Sequence, residues 1–348
     1  MTDSNKNFGF IYFMTERDLF GYQCGSYVKI GLVKGNDDGR SSLERRKEHQ
    51  TGNPRRIVVE EEVKTFAQVS TLESLVHQRL AKNRIHGEWF NYGEEGISSY
   101  VDLTRAINNQ LENNIEDEKI VEKYLNIEDN GEEVKASSES EDIYNELLKI
   151  KDDLLKFKTS KEMAVLKLKS FDQRISKDID GICSYEKSKP SEKFEKIKFQ
   201  KDYPDVVEKI GTFVITQNLT IKKDIKLKRN QTFKNLEEII KSQKFIDEHS
   251  ERLLKRDNLS VKLHQDWLNA HVALQPLELK KKILENKLKI IVGENQAIKN
   301  ICSWKRTKKK QINKSDLIKY DSELAKKYIS IGKAVIKFKV NDFRPYTF

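Results

Sequence analysis

Proline is scarce in this chain, at five residues in 348, and cysteine scarcer, at three. So few prolines leave long helices free to run uninterrupted. Cys24, Cys183 and Cys302 form no Cys-x-x-Cys pair and are odd in number, which excludes a disulfide framework and a cysteine zinc site. No stretch approaches the roughly 18 consecutive apolar residues of a membrane span, and the opening MTDSNKN is polar where a signal peptide would be apolar. These absences point to a chain without a membrane segment, expected in the reducing cytoplasm. The length exceeds the roughly 100–200 residues of one domain, so two or three folding units are expected.

What the chain has in quantity is charge: 34% of residues are charged against 37% hydrophobic, with a net charge of +10. This balance fits a helix-rich protein with long solvated helices. The charge is uneven, about zero over 1–110, about −9 over 111–142 and about +19 over 143–348. Lysine clusters run from Lys222-Lys223 to Lys228-Arg229, and from Lys305-Arg306 to Lys308-Lys309-Lys310. On a phosphate backbone these would release counterions and give salt-sensitive, sequence-blind DNA affinity. The same lysines would also serve as an ordinary solvated face, since glutamates are interleaved with them.

Residues 8–14 and 27–32 read as two neighbouring strands, being short, aromatic and β-branched. A helix from Ser41 to the Thr51-Gly52-Asn53-Pro54 breaker, a strand at 57–63, a helix at 70–82, the extended segment GEWFNY from Gly87 and a helix at 97–112 follow. Residues 113–140 are acidic and read as a linker or a frayed helix. From Ile143, the residues Leu147, Ile150, Leu154 and Phe157 form a coiled-coil seam, which either self-association or an intramolecular helix pair would bury. The tail is duplicated at a spacing of about 119 residues: Ile182-Cys183-Ser184-Tyr185 matches Ile301-Cys302-Ser303-Trp304, each after a long helix. The second of those helices is expected from Pro276 to Gly293. The expected architecture is α+β: a small α/β domain at 1–112 on a mixed three-stranded sheet, the linker, then helix-rich coiled-coil modules with small β elements at 141–230 and 231–348.

The chemistry-bearing residues concentrate in the first hundred. Strand alternation puts Ile11 and Phe13 on one face and Tyr12 on the other, where its hydroxyl can meet water. Tyr27, Lys29 and Gly31 share a face of the second strand. Arg45 and His49, four apart, share a helix face, with Arg46 as the nearest competing cation. Glu73 and His77 repeat that spacing on the next helix, and Glu88 and Asn91 flank Trp89-Phe90.

In order, Gly9-Phe10-Ile11-Tyr12, Val28-Lys29-Ile30-Gly31, the run Arg45 to Pro54, Glu73 to His77 and Gly87-Glu88-Trp89-Phe90 resemble the GIY-YIG nuclease superfamily, in the branch found in phage open reading frames and meiotically up-regulated yeast proteins. The resemblance implies a metal-dependent DNA endonuclease. Tyr12 would be the base or water-orienting group, Arg45 the phosphate clamp, His49 the group that orients the nucleophile or protonates the leaving group, and Glu73 the ligand of one Mg2+ or Mn2+ ion. Lys29 stands at the position of the YIG tyrosine, so Lys29 or Tyr27 would fill that motif's role. His77, Glu88 and Asn91 would be secondary. The tail, through Ser303-Trp304-Lys305 and Asn341-Asp342-Phe343-Arg344, resembles the end of YqaJ-type viral recombinases, implying DNA or protein binding or assembly. Both likenesses imply a phage context, either defence or phage DNA metabolism. The nuclease reading requires Tyr12, Arg45 and Glu73 to converge on one surface of the small sheet; scattering them, or burying the phenol without access to solvent, would end it and leave a non-cleaving DNA-binding or assembly protein.

Overall fold

The computed structural model describes residues 9–35, 41–223 and 229–345; Phe8 of the expected first strand, and Lys226 and Lys228 of the first basic cluster, lie outside the described residues. The chain opens with the antiparallel pair β1 (Gly9–Arg17) and β2 (Tyr27–Lys34). A capping box of Ser41 and Glu44 starts α1 (Ser42–Gln50), and β3 (Arg56–Thr65) returns antiparallel on the far side of β1. There follow α2 (Val69–Arg79), β4 (Arg84–His86), β5 (Trp89–Asn91) and α3 (Gly96–Asn113).

The resulting sheet has the order β3-β1-β2-β5-β4 and is antiparallel at every pairing, so the expected mixed, three-stranded sheet is corrected to five strands. The short aromatic segment is the reason: the chain turns back at Gly87, with φ +54°, and lays Trp89-Phe90-Asn91 along Lys29-Val28-Tyr27. Alternation sorts the two faces. Ile11, Phe13, Val28, Ile30 and Phe90 pack with Leu72 and Val76 of α2 and Tyr100 of α3 in the main core. Tyr12, Met14, Val33 and Ile57 form a smaller core on the opposite face.

Residues 113–140 are ordered, unlike the expected linker. They form α4 (Ile115–Leu125) and β6 (Glu133–Val134). Glu116, Asp117 and Glu118 sit in the first turn of α4, where acidic charge suits the helix dipole, while Val121 is buried.

The tail comprises α5 (Ser138–Lys169), β7 (Asp178–Ile179), β8 (Cys183–Lys187), β9 (Glu192–Phe194), α6 (Lys196–Asp202), α7 (Pro204–Ile210) and β10 (Thr212–Ile221). After these come α8 (Gln231–Ser242), α9 (His249–Arg252), β11 (Leu253–Leu254) and α10 (Asn258–Val292). The last elements are β12 (Ala297–Ile298), β13 (Cys302–Gln311), α11 (Lys314–Tyr320), α12 (Ser322–Lys327), β14 (Ile329–Ile331) and β15 (Ile336–Val340).

The succession β6-α5-β7-β8 recurs as β11-α10-β12-β13. The match extends to the two turns, which place Gly181 and Asn300 at φ 67° and 65°. The copies interlock: β8 of the first pairs with β15 of the second, and β13 of the second with β10 of the first. The seam Ile143, Leu147, Ile150 and Leu154 is buried against Leu274, Leu284 and Leu288 of α10, the intramolecular alternative. Pro276 lies inside α10, which starts instead at a capping box of Asp257 and Ser260 and ends, as expected, at Gly293. A proline removes only one helical donor, and residues on both sides of it, Leu274, Gln275 and Leu279, are buried. Leu279 also belongs to the core of the first domain, with Ile283 packed against it, so the long helix joins the two parts of the molecule.

Candidate active site

Tyr12 stands opposite Gly31 across the β1–β2 pair, and its ring crosses the backbone of that glycine. Any Cβ at position 31 would overlap the Tyr12 hydroxyl, so the small residue sets the direction of the phenol. Beyond Lys29, the outer edge of β2 has no strand partner, because β5 pairs only with Tyr27, Val28 and Lys29. The freed backbone groups are satisfied instead by neighbouring side and main chains. The Glu73 carboxylate accepts from the Leu32 amide, and His77 Nε2 lies 3.0 Å from the Ile30 carbonyl oxygen. The four-residue spacing of Glu73 and His77 on α2 thus matches the two-residue step of a strand edge.

Around the phenol, α1 supplies Arg45 and His49. His49 Nε2 is 3.2 Å from the Tyr12 hydroxyl, and Arg45 also hydrogen-bonds the phenol while pairing with Glu48 at 2.5 Å. From the sheet, Lys29 Nζ reaches Glu88 Oε2 at 2.6 Å. The sequence-predicted phenol, guanidinium, imidazole, ammonium and two carboxylates therefore form one electrostatic cluster.

The charges act on one another. Burial, then the Glu88 charge, pushes the Tyr12 phenol up to about 12, against the opposing pull of Arg45. Burial, then Glu88, pushes the Glu73 carboxyl up to about 7, although the Leu32 amide, Lys29 and Arg45 pull the other way. Burial would also raise Glu88, but the hydrogen bond and charge of Lys29 outweigh it and hold this carboxyl below its usual range. His49 is lowered by burial and by the neighbouring Lys29 and Arg45, so it is neutral at neutral pH.

One expectation is overturned here: Tyr12 is 0% exposed and does not present its hydroxyl to solvent. Its strand face is not open, because α1 closes over it. The cover above the hydroxyl is one side chain deep, since the Arg45 side chain is itself 29% exposed and His49 is half-buried.

Other sequence-predicted residues are not brought to the cluster. Tyr27 is exposed at the start of β2, beside Gly25. Asn91 is spent on local structure: its carbonyl accepts from Tyr100 Oη at 2.7 Å and its side chain from the Gly93 amide at 2.9 Å. His77 reaches the strand edge and stacks near Phe90, with ring centroids 5.0 Å apart. Arg46 is half-buried on α1.

In the tail, Arg306 is 1% exposed and corrects its assignment as a DNA contact. Its guanidinium donates to the Tyr124 and Asn295 carbonyls at 3.2 and 3.1 Å and lies over Trp304 at 4.3 Å. Alternation along β13 turns this residue inward while its neighbour Lys305 faces out. Lys308 and Lys309 are exposed, with Lys308 over the Phe213 ring, and Lys310 pairs with Glu208 at 2.7 Å.

The described residues contain no helix long and apolar enough to cross a membrane, and no group of three or more His, Cys, Asp or Glu side chains that could hold a metal ion. No curated protein and no solved structure matches this chain. Residues 9–105 match the T5orf172 domain, a family of phage-associated, endonuclease-type domains, and this span contains every residue of the cluster around Tyr12.

Proposed function

We propose that residues 9–105 form a GIY-YIG-type, metal-dependent DNA endonuclease. The observation that carries this reading is the convergence of Tyr12, Arg45, His49, Lys29, Glu88 and Glu73 beside the open edge of β2. Phosphodiester hydrolysis needs a cation on the phosphate, a group to orient and deprotonate water, and a carboxylate for a divalent ion. Arg45, 29% exposed and bonded to Glu48 and the phenol, is the group a phosphate can draw away. That displacement uncovers Tyr12. The protonated phenol then takes a proton from water as it passes its own to the neutral His49.

Glu73 fits a hard divalent cation, Mg2+ or Mn2+. Its carboxyl is raised first by burial and then by the Glu88 charge, a cost and a repulsion that such an ion would relieve. Glu73 would hold the ion, and because no group of three or more such donors lies among the described residues, water and phosphate oxygens would have to supply the remaining ligands. When bound, the ion offsets the charge that develops on the phosphate. The tail, with Lys305, Lys308 and Lys309 exposed, supplies salt-sensitive DNA affinity or assembly, as its likeness to YqaJ-type tails suggests.

The rival reading, a non-cleaving DNA-binding module, draws on the sealed phenol and the internally paired Lys29. Incubation with plasmid and with modified phage DNA, in Mg2+ or in EDTA, separates the two. Nicking in Mg2+ that is lost in EDTA and in Glu73→Ala supports the enzyme. Retention on DNA with no nicking under any of these conditions supports the binding module.

A further inference from the structure

The edge of the tail sheet formed by β10 is unlike every other edge in the molecule. The order β10-β13-β12-β6 leaves one side of β10 without a strand among the described residues. Its ten residues, Thr-Phe-Val-Ile-Thr-Gln-Asn-Leu-Thr-Ile, contain no charge and no proline, and its pairing with β13 has no bulge. Phe213 and Val214 are 61% and 41% exposed. Natural edge strands are guarded against strand addition by charge, proline, bulges or shortness. The other edges among the described residues obey that rule: β3 carries Arg56, Glu60, Glu61, Glu62 and Lys64, β15 carries Lys337 and Lys339, and β4, β6, β9, β11 and β14 have two or three residues.

The ladder fixes which backbone groups of β10 are free. The amides of Trp304, Arg306 and Lys308 turn away from β10, toward Gln296, Asp129 and Glu128. The alternate residues of β13 therefore bond β10, at Thr212, Val214, Thr216, Asn218 and Thr220. The N–H and C=O groups of Phe213, Ile215, Gln217 and Leu219 point outward, and no described group bonds to them.

We propose that a second copy of this chain adds to this edge, β10 against β10, to make a two-fold dimer with a continuous sheet. The strand's own sequence selects the partner. An antiparallel pair centred on Gln217 sets Phe213 opposite Ile221 and Ile215 opposite Leu219 on one face. On the other face it sets Val214 opposite Thr220 and Thr216 opposite Asn218. Two apolar pairs thus meet on one face, neutral polar or small side chains meet on the other, β10 itself brings no charge to the seam, and the outward backbone groups face one another. This dimer does not depend on the nuclease reading and differs from a coiled-coil dimer, since the α5 seam is already buried within the chain.

The test is the mass of the full chain by light scattering or sedimentation, from low to high micromolar concentration. The expected wild-type result is a dimer of twice 40.7 kDa. Thr216 and Asn218 are both exposed, so charges there leave the fold intact. T216E/N218E and T216K/N218K each place like charges opposite one another across the two-fold axis, and each alone dissociates at least tenfold more readily. Mixing the two restores the dimer, because every facing pair is then opposite in charge. A monomeric wild type overturns the proposal, as does a dimer that persists in both variants, or a mixture that stays monomeric while both variants keep wild-type circular dichroism.

Discussion

Gly31 shows how little space the cluster has to spare. A methyl group at this position meets the Tyr12 hydroxyl, so Gly31→Ala must displace the phenol from the site between His49 and Glu73. Overpacking of this kind costs about 1–3 kcal/mol, read as a lower midpoint in urea, and nicking should fall with it. Glu73 offers a second residue-scale test, through pH. Its folded-state carboxyl titrates at about 7, above the 4.5 of an unperturbed glutamate, so the folded protein holds this proton more tightly than the unfolded chain. The carboxyl therefore costs no stability below about pH 4.5, and the cost is full only above about 7. In EDTA, Glu73→Gln should match wild type in Tm near pH 4.5 and melt higher at pH 8, the gain in unfolding free energy there being on the order of 1–2 kcal/mol after allowance for solvent screening. Equal Tm values at pH 8 would sink this account of Glu73. With Mg2+ present, nicking should rise as pH climbs toward 7, since the ion binds the ionised carboxyl.

At the scale of elements, helices and strand edges are matched through side chains that sequence spacing alone leaves ambiguous. The i, i+4 pair Glu73 and His77 reads as one helix face, but its task of satisfying β2 appears only when α2 lies along that edge. On β13, period-two alternation divides one basic run into an inward Arg306 and outward Lys305, Thr307 and Lys309. Arg306→Ala should therefore destabilise the protein by about 3 kcal/mol, because the Tyr124 and Asn295 carbonyls lose their donor and the buried guanidinium leaves a cavity against Trp304. Lys305→Ala with Lys309→Ala should leave Tm within about 0.5 kcal/mol of wild type and flatten the dependence of DNA affinity on salt. Thermal melts alongside filter-binding titrations at several salt concentrations check both outcomes.

For the whole molecule, α10 is the element that decides cooperativity. It carries the α5 seam on one side and sends Leu279 and Ile283 into the core of the first domain. Additional ties cross the same boundary: Gln78 donates to the His271 carbonyl at 3.2 Å, and Arg84 pairs with Asp342 at 3.0 Å. The full chain should accordingly melt in one calorimetric transition. A fragment of residues 1–112 should be less stable than the same domain in the intact chain by about 2–4 kcal/mol, the loss of roughly two partly shared apolar contacts. Two separated transitions in the full chain would show that these contacts do not couple the parts.

The order of β1, β2, α1, β3, α2, β5 and α3, the side of β1 on which Tyr12 lies, and the recurrence of elements in the tail were legible in the sequence, because each rests on local periodicity, caps or repeated letters. Ser41 and Gly293 act at helix ends as their residue types require. What needed the tertiary structure was every feature set by partners distant in sequence. These include the addition of β5 to β2 and of β4 to β5, the order gained by the acidic segment through β12 and α10, the exchange of strands between the two tail copies, the burial of Arg306, and the closing of α1 over the Tyr12 phenol. The reason is physical: propensity and periodicity tell which face of an element is apolar, but not which other element, a hundred or more residues away, comes to cover it.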